Sequence, residues 1–151
     1  MAAVNENPWA LIREARVADI PALTQLCGEL GYPSEESQVK RRLARVNEDK
    51  ENRIIVAEDA AGAVIGWVQV HFTRWLASDP RGEVVGLVVS SQSRGRGIGR
   101  KLMQAAETWT KEQGGAQVAV RSNLIRKETH VFYQRLGYTV TKTSLNFRKA
   151  V

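Results

Sequence analysis

The stretch from Glu83 to Trp109 constrains this chain more than any other. An apolar run, Val84 to Val89 with Gly86 inside it, enters Ser90-Ser91-Gln92-Ser93, then Arg94-Gly95-Arg96-Gly97-Ile98-Gly99-Arg100, then an amphipathic segment. The order predicts a strand, a glycine-arginine turn and a helix. Alternating glycines let a backbone curl until successive N–H groups point one way. The first turn of a helix adds unpaired N–H groups and the positive end of its dipole. Together they form a cradle for a phosphate. Arg94, Arg96, Arg100 and Lys101 add positive charge beside it.

The 151 residues, 43% of them hydrophobic, suffice for one core, so we expect a short flexible lead-in over 1–9 and a single domain over 10–151. The single cysteine, Cys27, excludes an intrachain disulfide and a cysteine-based zinc cluster, and suits a reducing compartment. Its place among Ile20, Leu23, Leu26 and Leu30 predicts a small core residue rather than a nucleophile. No apolar run is long enough to cross a bilayer, and the first residues lack the basic-then-apolar pattern of a secretion signal, so a cytoplasmic protein off the membrane is expected. A formal net charge of +6 favours anionic partners without choosing one. No zinc-finger or RNA-binding signature accompanies it, so no nucleic-acid partner is expected. The two histidines, His71 and His130, lie on separate predicted elements, and no metal site is expected.

Around the central stretch the pattern mixes hairpins with strand-helix-strand units, a layered α/β class. Ala10 to Arg13 predicts a first strand. Asp19 is a candidate cap for a helix over Ile20 to Leu30, and Ser34 for a second from Glu36 to Val46. Arg53–Glu58 and Ala63–Phe72 predict a hairpin carrying Trp67 and His71, and Arg74–Gly82 a loop carrying Trp75. The continuous apolar run after Glu83 predicts a central strand covered on both faces, and Gly86 a bulge within it. On the next helix Ile98, Leu102, Ala105, Ala106 and Trp109 share one side. Gln117–Val120 predicts a strand and Arg126–Leu136 a helix. Tyr138–Thr141 and Thr143–Arg148 predict a closing pair of strands.

Two phosphate-binding motifs are excluded. No Gly-x-x-x-x-Gly-Lys-Ser/Thr run exists, and the strand after the turn carries no acid of the kind a dinucleotide fold requires. The chain instead resembles, over residues 11–148, the GCN5-related N-acetyltransferase (GNAT) superfamily. The resemblance rests on element order, on Arg94-Gly95-Arg96-Gly97-Ile98-Gly99 as the form here of Arg/Gln-x-x-Gly-x-Gly/Ala, and on Arg121-Ser122-Asn123 followed by His130 to Tyr138. It implies a mixed, mostly antiparallel sheet flanked by helices, with a splayed central strand. Where many members have alanine three residues after the asparagine, this chain has Arg126, a candidate contact to cofactor or acceptor.

The resemblance further implies an enzyme that transfers acetyl from acetyl-CoA to a primary amine by direct attack, and a homodimer. Leu87, Val88 and Val89 would meet the pantetheine arm through their main chain. Residues from Arg94 to Arg100, that is Arg94, Gly95, Arg96, Gly97, Ile98, Gly99 and Arg100, would hold the pyrophosphate. Asn123 would bond the cofactor arm. Amine attack needs a proton acceptor, and the departing thiolate needs a proton. Tyr133 matches the family's general acid at the cofactor sulfur, while its spacing alone fits a core aromatic beside Phe132. Glu83 matches a general base used by some members, and a solvent-facing strand end or a water chain to a backbone carbonyl are the alternatives. Tyr32, Trp67, His71, Trp75 and Glu83 are the candidates for the acceptor side. A module that holds CoA without turnover is the rival function.

Overall fold

Five strands form one sheet whose spatial order follows the chain: β1 (Ala10–Glu14), β2 (Asn52–Asp59), β3 (Val64–Thr73), β4 (Arg81–Val89) and β5 (Val118–Val120). The first four are antiparallel, and β5 runs parallel to β4. The computed structural model describes residues 10–151; the expected lead-in over 1–9 lies outside them. The chain divides into two compact units, Met1–Arg121 and Ser122–Val151. The first holds the sheet, α1 (Ile20–Leu30), α2 (Glu36–Glu48) and α3 (Ile98–Glu112). The second holds α4 (Lys127–Arg135). The expected class is observed: a mixed, mostly antiparallel sheet flanked by helices.

Side-chain alternation assigns each face of the sheet a helical layer. Val56, Trp67 and Val88 share a core with Ile20, Leu23 and Leu26 of α1 and Val39 and Leu43 of α2. Gly66, one position away from Trp67, turns toward α3, where Leu102 stands over it. Burial of α3 is deeper than its sequence suggested. Besides Ile98, Leu102, Ala106 and Trp109, it buries Met103 and Thr110, whereas Ala105 is only half-buried. Each large apolar side chain so buried contributes about 1.5–3 kcal/mol. Thr110 is tolerated there because its hydroxyl donates to the Ala106 carbonyl at 2.8 Å.

β4 parts from β5 almost at once. Only Gly82, Glu83 and Val84 pair with Val118, Ala119 and Val120, so the last five residues of β4 extend beyond its parallel neighbour. This is the expected splay. The bulge is also present, but its extra residue is Val85: Gln69 pairs with Gly86 and Val70 with Val84. Gly86 serves a different need. A Cβ there would stand 2.7 Å from the Trp67 ring, so the glycine makes room for an indole. Val85 is exposed, and the apolar run is therefore not covered on both faces along its whole length.

Three local expectations are corrected. Asp19 stands at the start of α1 but makes no side-chain cap to it. Its carboxylate instead accepts from the Arg16 N–H at 2.8 Å and from both Arg13 Nη atoms at 2.8 Å, so it caps the short 3-10 turn Val17–Asp19 and ties it to β1. Ser34 does not cap α2. Glu35 does, in a reciprocal pair with Gln38, while the Ser34 hydroxyl donates to the Tyr32 carbonyl and accepts from Arg42. The closing strands are absent: residues 138–151 contain no strand. Alternating composition forms a strand only where a second backbone supplies the ladder, and the second unit contains one helix and no strand to pair with. Val140, Leu145 and Phe147 accordingly stand exposed.

Candidate active site

The glycine turn has the geometry its sequence requires. Gly95 and Gly97 adopt φ of 79° and 78°, left-handed values that a side-chain-bearing residue adopts at a cost. Neither would meet another atom within 4 Å if it carried a Cβ, so conformation rather than crowding selects glycine, and the turn's outer side is open. Gly97 is the N-terminal cap of α3 and has no side-chain acceptor. Lys101 donates to the Gly97 carbonyl at 3.1 Å, which leaves the N–H groups of Ile98, Gly99 and Arg100 without an intrahelical acceptor. The open backbone donors fit an anion. Arg94 folds back to donate from Nε to the Val89 carbonyl at 3.4 Å, linking the turn to the end of β4. Glu29 of α1 accepts from the Ser91 N–H at 3.1 Å and fixes the turn's entrance.

Glu83 is 9% exposed, which answers the solvent-facing alternative. It sits just before the bulge, opposite His71 of β3. A carboxylate this buried requires ionic or hydrogen-bonding partners. Its Oε1 accepts from Arg81 Nε at 3.2 Å and Arg81 Nη2 at 3.0 Å, and its Oε2 lies 3.9 Å from Arg121 Nη2. The bulge sets its direction. Because Val85 is inserted, Glu83 shares a face with Gly86, Val88, His71, Gln69 and Trp67, away from α3.

The acceptor-side candidates separate in this frame. His71 is half-buried beside Glu83 on that face. Trp67 lies in the core against α1 and α2, and its buried indole N–H has no hydrogen-bond partner among the described residues. Trp75 is partly exposed, donates from Nε1 to Thr73 Oγ1 at 2.8 Å, and supports the Arg81 guanidinium 5.6 Å from its ring centroid. Tyr32 is exposed just beyond α1. Cys27 is half-buried against the core, and burial pushes its thiol up, as expected of a packing residue. No group of three potential metal ligands occurs among the described residues.

In the second unit, Asn123 opens a turn that leads into α4. Its Oδ1 accepts from the Ile125 N–H at 3.1 Å, and its carbonyl accepts from the Arg126 N–H at 3.0 Å. His130 Nε2 lies 2.8 Å from the same carbonyl and donates to it, since a carbonyl oxygen only accepts. Tyr133 is the buried residue of α4. Its ring packs edge-on against Phe132 at 5.2 Å and Tyr138 at 5.9 Å. Burial pushes its phenol up, and the charge of Arg126 pulls it partly back. The packing and a protonated hydroxyl are compatible in one residue.

Sequence reasoning missed Arg81, Thr73 and Arg121 around Glu83. The two-residue spacing of Arg81 and Glu83 along a strand was the available signal, because i and i+2 share a face. Arg121 stands just past β5, which reaches β4 through a parallel crossover, and nothing local in the sequence announces that.

A central strand that outruns its parallel neighbour into a glycine turn and an uncapped helix defines the class: a mixed α/β enzyme fold for a phosphate-bearing donor. Residues 17–138 match the Acetyltransferase (GNAT) family, and the chain belongs to that family. It is an acetyltransferase, and acetyl-CoA is its donor. The chain is 28% identical over 141 residues to the aminoglycoside N(6')-acetyltransferase type 1 of Stenotrophomonas maltophilia, covering 91% of each. It is 31% identical over 128 residues to an uncharacterized N-acetyltransferase of Chlorobaculum tepidum, covering 84% of this chain and 74% of that one. Among solved structures, a transcriptional regulator from Bacillus halodurans C-125 superposes with a TM-score of 0.84 at 26% identity, covering 93% of this chain and 99% of the other.

Proposed function

We propose that this enzyme transfers the acetyl group of acetyl-CoA to a primary amine of a small molecule or peptide by direct attack, with Glu83 as the general base. The observation that carries this reading is the burial of a single carboxylate at the point where β4 leaves β5, on the face shared with His71 and Gln69. Bound acetyl-CoA supplies an activated thioester. The backbone of Arg94, Gly95, Arg96, Gly97, Ile98, Gly99 and Arg100 would hold its pyrophosphate, and the main chain of Leu87, Val88 and Val89 its pantetheine arm. Asn123 and Arg126 would be further cofactor contacts. Glu83, directly or through one water, takes the proton that the ammonium must lose before attack. Tyr133 holds the proton that a departing thiolate needs, and the burial that pushes its phenol up supports this role. Tyr32, Trp67, His71 and Trp75 would face the acceptor. The buried Trp67 N–H, without a hydrogen-bond partner among the described residues, supports its part in this.

The relative in Stenotrophomonas acts on aminoglycosides, so an aminoglycoside belongs in the test. Thiol release from acetyl-CoA is measured with kanamycin, spermidine, lysine and a short peptide. Turnover with any of them, lost in Glu83→Gln, supports the reading. Tight acetyl-CoA binding by calorimetry with no turnover across the panel overturns it in favour of a regulatory CoA-binding module. We further propose one acetyltransferase domain over 10–151, a homodimer and a cytoplasmic location. A single thermal unfolding transition, sedimentation velocity and cell fractionation check these in turn. Two separate transitions, a monomer at every concentration or recovery outside the cytoplasm would reject them.

A further inference from the structure

We propose that Arg81, braced by Trp75, is a positioning residue for Glu83: it ties up one carboxylate oxygen and presents the other to the acceptor amine or its water. This rests on the reading of Glu83 as general base. Two donors of one guanidinium, Nε at 3.2 Å and Nη2 at 3.0 Å, converge on Oε1, while among the described residues the charged contact of Oε2 is the longer ion pair to Arg121 at 3.9 Å. A carboxylate gripped through one oxygen by two donors is held at that oxygen. Its second oxygen keeps lone pairs for a proton that arrives with substrate.

The grip is itself supported. Thr73 and Arg81 are paired across the end of the β3–β4 ladder. The Thr73 hydroxyl donates to the Arg81 carbonyl at 3.2 Å and accepts from Trp75 Nε1 at 2.8 Å. The Trp75 ring then lies against the Arg81 guanidinium. Thr73, Trp75 and Arg81 thus close a ring of contacts, and its free product is the direction of Glu83. Among the described residues, the charged and titratable groups facing Glu83 are Arg81 on its own strand, His71 opposite on β3, and Arg121 just past β5. Of these, only Arg81 makes hydrogen bonds to it within 3.5 Å. A general base displaced by about 1 Å costs on the order of a hundredfold in rate, so the grip bears on turnover rather than on donor binding.

The test measures thiol release from acetyl-CoA with water alone and with kanamycin, spermidine or lysine, in wild type, Arg81→Ala, Arg81→Lys, Trp75→Leu, Glu83→Gln and the Arg81→Ala/Glu83→Gln double variant. Arg81→Ala should lower kcat tenfold to a hundredfold while the KM for acetyl-CoA stays unchanged. Millimolar guanidinium ion should restore part of that loss, and Arg81→Lys should retain less than half of wild-type kcat because an ammonium cannot reproduce the fork. Trp75→Leu should show a smaller loss in the same direction. In the Glu83→Gln background, removal of Arg81 should have no further effect. Wild-type kcat in Arg81→Ala overturns the proposal, as does a loss that guanidinium leaves untouched or that adds in full to Glu83→Gln. If Glu83→Gln alone keeps wild-type kcat, the role of Glu83 falls and the grip falls with it. A slow Glu83→Gln beside a fully active Arg81→Ala removes only the grip.

Discussion

Tyr133 combines ring packing with the proton supply we propose for it. Desolvation holds its phenol above the ordinary value of about 10, and the opposing charge of Arg126 is the smaller influence. The hydroxyl therefore stays protonated through neutral and mildly alkaline pH. Tyr133→Phe removes the proton and keeps the packing against Phe132 and Tyr138. We expect kcat to fall on the order of a hundredfold or more, with acetyl-CoA affinity by calorimetry and the melting temperature close to wild type. A normal kcat would return Tyr133 to a purely structural part. The choice was open in the sequence because an aromatic at helical spacing has one apolar face in either role. Only burial together with a raised phenol reconciles the two. Glu83 was legible as a carboxylate beside an apolar strand, but its partners were not, since one of them arrives from across a parallel crossover.

At the scale of the element, the turn into α3 was the most legible part of the chain. Arg94 to Gly99 specifies backbone conformation directly, and Gly95 and Gly97 adopt the left-handed values that their alternation implies. Gly97→Ala should cost about 1 kcal/mol of stability through that conformation alone. Because the strain falls on the cap of α3, it should weaken acetyl-CoA binding by more than the general destabilisation explains. Calorimetry beside thermal denaturation separates the two, and unchanged affinity at a lowered melting temperature would refute the cradle. The caps of α1 and α2 were less legible. Asp19 and Ser34 had suitable chemistry, but Arg13 and Arg42 engaged them first. A cap assigned from sequence competes with every long cationic side chain that the fold brings near it.

For the whole molecule, element order and the layered α/β class followed from hydrophobic periodicity and the mostly antiparallel sheet from the family resemblance, whereas the strands expected in the last fourteen residues did not form. Their alternation matched a strand, but pairing belongs to two backbones and cannot be read from one. The first unit also carries a clasp that periodicity does not reveal. Arg13 of β1 binds Asp19 through both Nη atoms and Glu58 of β2 through Nε at 2.6 Å, joining the first two strands to the start of α1. The Arg13 guanidinium and the Arg16 N–H hold the Asp19 carboxyl below its usual range against the opposing effect of burial. The stability this contributes is fully present above the unfolded-state value near 3.9 and is lost as pH falls through the lower folded value. Asp19→Ala should destabilise by about 3 kcal/mol, the low end for breaking a buried pair, because Arg13 keeps Glu58. Chemical denaturation at neutral pH and near pH 3 checks both points: the penalty should shrink at the lower pH, and a penalty independent of pH would exclude the ionic cause.

The extra residue at Val85 has one more consequence, for how this strand is compared with others. Counting by twos from Arg81 reaches Glu83 and then loses phase, because the face is continued by Gly86 and Val88. A sequence one residue shorter here restores simple alternation, and a carboxylate kept at the same distance from the glycine turn then looks toward the opposite helix layer. Such an alignment column matches letters while exchanging inside for outside. Equivalent acids in this strand are therefore recognised by the parity of their bulge, and a single gap is the difference between a conserved position and a conserved direction.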